Sequence, residues 1–351
     1  MSSVRKLALV GAGVIGNLHG RVAGQLADRL ELVAVADVEI GRAKRIAAEY
    51  GGQPFASLAD ALAAVEVDIV AVCTPTGRHG EVAIEALAAG KHVIIEKPAE
   101  ITVARTDEII AARQQAGTLV TVISQHRFDP ATEITLGAIE RGELGRLTSG
   151  IASIDWWRGQ AYYDSGDWRG TWDLDGGGAL MNQGVHTVDL LVAAMGRPTE
   201  VFAYTGTLAH ERIEVEDVAV GVVRFESGSL GVLHATTAAY PGLSARLQVH
   251  GDRGSAVIDN DQLAFFQVTA PDAAVPERLM GVTADRAVPT ATAGSDPGQL
   301  SDAHRLQYLN FLGALDGTEP LRVGLETNRQ SIAVINGVYE SARTGRPVAL
   351  R

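Results

Sequence analysis

The chain has 351 residues, 46% of them apolar and 21% charged, which suits an ordinary globular protein of about two domains. Its formal net charge of −12 argues against binding nucleic acid or an anionic membrane, both of which require a basic face. A single cysteine, Cys73, excludes an internal disulfide and suits a reducing compartment.

Arg5 and Lys6 precede an apolar run, Leu7–Val10, that ends at Gly11. Four residues are too few for a secretion signal, so the run predicts a strand and a cytoplasmic protein. No stretch approaches the roughly 18 apolar residues of a membrane span. Further β-branched runs follow at Leu32–Ala36, Ile69–Cys73, Val93–Ile95 and Leu119–Ile123. Alanine-rich stretches of helical spacing separate them: Ala43–Tyr50, Glu81–Ala89 and Ala104–Ala116. This alternation predicts a doubly wound parallel sheet of the Rossmann type over residues 1–124.

The rhythm changes after about residue 125. A helix is expected over Pro130–Glu140, then strands at Thr148–Trp157, Glu200–Thr207, Val218–Phe225, Leu230–Thr237 and Arg246–His250. Several alternate apolar and polar residues, as in a half-buried antiparallel sheet. Helices are expected at Ala179–Met195, Asp302–Leu315 and Thr327–Ala342, and a surface loop at Ala270–Leu300. Residues 125–351 therefore read as an α+β domain with a large open, mostly antiparallel sheet. The overall class is α/β.

Gly11-Ala12-Gly13-Val14-Ile15-Gly16 lies between the first strand and a helix. Such glycines permit a tight turn and let backbone N–H groups approach a pyrophosphate. Asp37 ends the next strand, where a carboxylate binds adenosine ribose hydroxyls and repels a 2′-phosphate. The cofactor expected is NAD. Cys73-Thr74-Pro75-Thr76 and His79 follow the carboxyl end of a strand, and so do Glu96 and Lys97. Ligands of open α/β sheets bind at that edge. The alternative for Glu96 and Lys97 is an ordinary surface ion pair.

These motifs, with CTPTGRHGEVAIEALAAGKHVIIEKP and GGGALMNQGVHTVDLL, resemble the glucose-fructose oxidoreductase / inositol dehydrogenase / rhizopine-catabolism (Gfo/Idh/MocA) family up to about residue 260. The resemblance implies an NAD-dependent dehydrogenase acting on a hydroxyl of a sugar, sugar derivative or cyclic polyol. It implies that Lys97 hydrogen-bonds the reacting hydroxyl and that His186 is the acid/base. The family's aspartate one turn before that histidine is Asn182 here, with hydrogen-bonding capacity but no charge. Gln125 and Arg127 match the family's domain-crossing segment and are expected to face the site. An inositol substrate is the second reading, and a non-catalytic NAD- or sugar-sensing regulator is the rival from another class. The family resemblance further implies a homodimer or homotetramer.

Residues 155–172 hold all four tryptophans of the chain. Trp168, Arg169 and Trp172 are expected to stack on and hydrogen-bond a sugar ring, or to pack at a subunit interface. No metal ligand set stands out.

Overall fold

The computed structural model describes residues 4–269 and 297–351. Most of the expected loop Ala270–Leu300 lies outside the described residues, but its last four residues already belong to a helix.

The first six strands are β1 (Arg5–Val10), β2 (Leu30–Ala36), β3 (Gln53–Phe55), β4 (Ile69–Val72), β5 (His92–Ile95) and β6 (Val120–Val122). Helices α1 (Val14–Gln25), α2 (Ile40–Tyr50), α3 (Leu58–Ala64), α4 (His79–Ala88) and α5 (Val103–Ala116) join them in turn. All pairs are parallel, in the order β3-β2-β1-β4-β5-β6. Successive residues of a strand point to opposite faces. Ala8, Val10, Val70 and Val72 accordingly enter one core, and Leu7, Leu9, Ile69 and Ala71 the other. The order reverses between β1 and β4, so the loops after these two strands open a crevice at the carboxyl edge.

The second sheet has eight strands in the order β13-β12-β11-β7-β10-β9-β8-β14. They are β7 (Leu147–Asp155), β8 (Pro198–Gly206), β9 (Val218–Phe225), β10 (Leu230–Thr236), β11 (Ala245–Gly251), β12 (Gly254–Asp259), β13 (Gln262–Val268) and β14 (Val348–Ala349). Only β7 and β10 pair in parallel. With them run α6 (Pro130–Glu140), α7 (Gln160–Tyr163), α8 (Val185–Met195), α9 (Pro297–Leu315) and α10 (Leu325–Thr344). The short segments β3, α3 and β12–β14 are not predicted by periodicity. Pro54 interrupts β3, and β14 has two residues, too few to show a period.

One face of this sheet packs on α8 and α10, while the other leaves Tyr204, Val220, Val222 and Val232 exposed. The last two helices serve both halves of the molecule. Tyr308 and Phe311 of α9 enter a core of the first sheet, whereas α10 gives Ile332 to the first and Val338 to the second.

The halves are also joined by a buried ion pair. Arg127, in a 3₁₀ turn after β6, donates to Asp189 of α8 through Nε (2.6 Å) and Nη2 (2.7 Å). Ser331 of α10 adds a hydrogen bond at 3.3 Å. The expectation that Arg127 faces the substrate is thereby corrected, because its guanidinium is committed to Asp189. Removing one partner of a buried pair leaves the other charge uncompensated. Asp189→Ala should therefore lower stability to urea by about 3–5 kcal/mol. A loss below about 1 kcal/mol would show that the pair is not a clamp.

Candidate active site

The loop after β1 is shaped by contact with the loop after β4. Gly11 has φ +98°, and a Cβ there would lie 2.4 Å from the Cys73 carbonyl oxygen. A Cβ on Gly16 would lie 2.0 Å from the Gly11 carbonyl oxygen. Gly13, by contrast, faces open space, and Val14 beside it is 91% exposed. Ile15 packs inward against the core. Asp37 accepts from the Ala12 N–H (2.7 Å) through Oδ2 and from the Glu39 N–H (2.8 Å) through Oδ1. Its carboxylate is thus fixed beside the glycine turn.

The loop Thr74–Thr76 is held from behind by His79. This buried ring spans the carbonyls of Pro98 (2.8 Å) and Thr74 (2.8 Å), so it ties the loop to the Lys97 segment. A neutral imidazole donates to only one of them. Cys73 is buried, and burial pushes its thiol up, so it is an inert wall.

Glu96 and Lys97 follow β5, but they are no surface pair. Glu96 Oε1 meets His19 Nε2 of α1 (2.9 Å) and His304 Nε2 of α9 (3.3 Å), while Oε2 accepts the Lys97 N–H (3.0 Å). Burial alone would raise this carboxyl, but the histidine contacts hold it well below the usual carboxylate range. Tyr308 orders His19 from the far side, its hydroxyl 2.6 Å from Nδ1. Glu96 therefore fixes the backbone from which Lys97 projects.

Lys97 Nζ donates to the main-chain carbonyl of Asn182 (2.9 Å). Ala179–Gly184 forms a π-helical turn ahead of α8 instead of the expected α-helix. Such wide turns recur at functional sites. Glu216 caps this turn by accepting from Gly178 N (2.9 Å) and Leu180 N (2.8 Å). The glycine run admits protein, not a ligand: a Cβ on Gly178 would lie 1.8 Å from the Glu216 carbonyl oxygen.

The side chain of Asn182 is turned toward a carboxylate. Its Nδ2 donates to Asp175 (2.5 Å), and it makes no hydrogen bond to His186 among the described residues. Asp175 thus supplies a carboxylate near Lys97 that position 182 lacks. Burial pushes Lys97 down, restrained by the charges of Glu96 and then Asp175, and it pushes Asp175 up, restrained by hydrogen bonds from Gly170 and Asn182 and then by the Lys97 charge.

His186, at the start of α8, is partly buried. Burial, then the charges of Lys97 and His126, keep it well below its ordinary range, so it is neutral at pH 7. The His126 ring stands edge-on to it, 4.9 Å between centroids. Nδ1 of His126 lies between Asp129 (2.8 Å) and Asp261 (3.0 Å). Burial would lower His126, but these two carboxylates push it up to about 10. With His126 charged, its Nε2 donates, so the end of the neighbouring Gln125 amide that faces it at 3.3 Å is the oxygen.

The aromatic segment borders this group through hydrogen bonds. Gln183 donates to Asn182 Oδ1 (3.2 Å) and to the Tyr162 hydroxyl (3.0 Å). Arg158 donates to Gln183 Oε1 (3.3 Å), and Arg169 donates to the Tyr162 hydroxyl (2.8 Å). Arg169 also stacks on Trp168, 4.4 Å from the ring centroid. Trp172 turns elsewhere: its indole donates to the Glu214 carbonyl (3.0 Å) and abuts Tyr339.

Residues 5–124 match the model of an oxidoreductase family with an NAD-binding Rossmann fold, and residues 137–257 that of the GFO/IDH/MocA C-terminal domain. The chain belongs to the GFO/IDH/MocA oxidoreductase family. A similar solved structure is the WlbA dehydrogenase of Bordetella pertussis in complex with NADH and UDP-GlcNAcA, 31% identical, covering 99% of each chain, with a TM-score of 0.86. The WlbA dehydrogenase of Chromobacterium violaceum, in complex with the same two molecules, is 32% identical with a TM-score of 0.86, covering 99% of this chain and 96% of that one. The myo-inositol 2-dehydrogenase of Thermotoga maritima is 28% identical over 268 residues, 73% of this chain and 75% of its own.

NAD is the cofactor of this GFO/IDH/MocA protein, and its residues fit it. Gly13 leaves room for backbone N–H groups to meet a pyrophosphate. Thr74 Oγ1 and one end of the Gln125 amide are buried without a hydrogen-bond partner among the described residues. Buried polar atoms left bare are costly, which suits a polar ligand at these two positions.

Sequence reasoning missed Asp175, the His126 clamp and the histidines behind Glu96. Asp175 directly precedes the glycine run, the only signal it carries. Asp261 and His304 are separated from their partners by more than a hundred residues, so no local pattern announces them. Removing the charge next to His186 should make its ring easier to protonate. Followed by NMR of labelled histidine, His126→Asn should raise the His186 pKa by about one unit. Loss of His126⁺ and release of Asp129 and Asp261 act in the same direction. An unmoved His186 titration would show that the clamp does not reach it.

Proposed function

We propose that the protein is an NAD-dependent dehydrogenase that oxidises a secondary hydroxyl of a sugar, or reduces the matching ketone. The observation that carries this reading is the Lys97–Asn182 contact, which brings an ammonium to the turn leading into α8, where its charge is felt by the uncharged imidazole of His186. NAD, when bound, supplies the hydride acceptor. A ring nitrogen of His186 takes the hydroxyl proton. Lys97 donates a hydrogen bond to the same oxygen and stabilises the negative charge that grows there. Glu96 and then Asp175 moderate the loss of positive charge on buried Lys97. Reduction runs through the same groups with His186 as acid.

The likeness to the WlbA dehydrogenases over nearly the whole chain supports a sugar substrate. An inositol is the second reading, supported by the relative from Thermotoga maritima. A regulator that senses NAD without turnover has no need of both Lys97 and His186.

Lys97→Met and His186→Ala should each lower kcat by roughly 10²-fold or more while the affinity for NADH stays within about twofold. Normal turnover by His186→Ala would place the base elsewhere. In the same assay Asp37 should favour NAD over NADP by at least tenfold in kcat/KM, about 1.4 kcal/mol. Equal use of both would remove that role from Asp37.

The open face of the second sheet is assigned to contact between copies of the chain, giving a homodimer or homotetramer. Tyr204, Val220, Val222 and Val232 on one face form an apolar patch of the kind that marks interfaces. Val222→Glu should reduce the mass measured by light scattering to that of a smaller species. A monomeric wild type would end the assignment.

A further inference from the structure

Two arginines beside the candidate site lack what arginines in such places have. Neither Arg158 nor Arg169 is paired with a carboxylate among the described residues. Arg158 makes one long hydrogen bond, to Gln183 (3.3 Å), and its Nε is buried with no partner. Arg169 has, among the described residues, only the Tyr162 hydroxyl as a hydrogen-bond partner of its side chain. Both guanidinium groups stack on Tyr162, at 5.4 and 4.4 Å from its centroid, and each takes a second ring, Trp156 for Arg158 and Trp168 for Arg169. Stacking fixes the planes of the two groups and leaves their in-plane N–H donors for a further acceptor.

Their charge is felt at Lys97, whose ammonium both arginines make harder to retain. Three cations therefore gather in a chain of net charge −12, with two carboxylates, Glu96 and then Asp175, as the counter-charges felt at Lys97, and Glu96 is already hydrogen-bonded to two histidines and the Lys97 backbone. Partly desolvated cations with unmet donors destabilise the free protein. A neutral polyol would not relieve that cost, whereas an anionic oxygen group would.

We propose that Arg158 and Arg169 form a subsite for a carboxylate carried on the substrate ring, so that the substrate is an acidic sugar of the hexuronate class. The proposal rests on the dehydrogenase reading above and narrows its substrate. A diphosphate has similar chemistry. The carboxylate is favoured by place: Arg158 reaches Lys97 through Gln183 and Asn182 alone, and a ring carboxylate stays within a few bonds of any reacting ring carbon. A diphosphate beyond the anomeric oxygen lies further away.

The test is a binding titration of the NADH-loaded enzyme, read by the fluorescence of the tryptophans in this segment. The ligands are UDP-GlcNAcA, UDP-GlcNAc, which lacks the carboxylate, and free GlcNAcA, which lacks the diphosphate. The wild type should bind UDP-GlcNAcA at least tenfold more tightly than UDP-GlcNAc and should retain measurable affinity for free GlcNAcA. Arg158→Gln and Arg169→Gln should each weaken UDP-GlcNAcA by tenfold or more and change UDP-GlcNAc by less than about twofold. Arg169→Lys should recover part of the loss, and unchanged NADH affinity reports an intact fold. Equal affinity of the wild type for the two nucleotides would overturn the proposal, as would variants that weaken both alike, which would assign the arginines to the diphosphate. Tight binding of myo-inositol with no binding of either acid would overturn it too. Because binding alone is read, a carboxylate preference without turnover would leave the subsite standing and the dehydrogenase reading refuted.

Discussion

The hydrogen bond from Lys97 to the Asn182 carbonyl joins the two halves of the molecule at the candidate site. It requires a lysine at the carboxyl end of β5 and a carbonyl from the turn ahead of α8. Each end has its own support. Glu96, held by His19 and His304, steadies the Lys97 backbone, and Glu216 caps the π turn. The Arg127–Asp189 pair clamps the same two regions a short distance behind. An error in any of these supports would move an ammonium relative to an imidazole, and catalysis by paired groups tolerates little displacement.

Electrostatics around the candidate site follow from burial. A desolvated imidazole is more stable uncharged, and the cations Lys97 and His126 reinforce that state at His186. His126 takes the opposite course because two carboxylates hold it. Two histidines whose rings touch are thus kept in different protonation states by their outer partners. An environment that splits the titration of neighbouring groups is a common mark of acid/base chemistry.

Long, strongly patterned elements were legible beforehand. The strands of the first sheet, covered on both faces, read as unbroken apolar runs, and β9 alternates as a half-buried strand should. The glycine turn and the Glu96-Lys97 pair could be placed at a sheet edge because each follows a strand directly. Short or weakly periodic pieces such as β3, β14 and the π turn carried no such signal. That Asn182 donates to Asp175, seven residues earlier across the glycine run, follows no period that could announce it.

By itself the sequence determined the class, the order of the long elements, the cofactor loop and, through the family that its motifs resemble, the candidate pair Lys97 and His186. These are local matters, set by period, turn residues and short motifs. Tertiary structure alone decided which partners set each charge. Asp175 came to Asn182, Asp261 to His126, Asp189 to Arg127 and His304 to Glu96. Among the described residues it also left Arg158 and Arg169 without a carboxylate. The reason is that a side chain's charge state depends on what folding packs against it and how much water folding removes, and neither is written in its near neighbours along the chain.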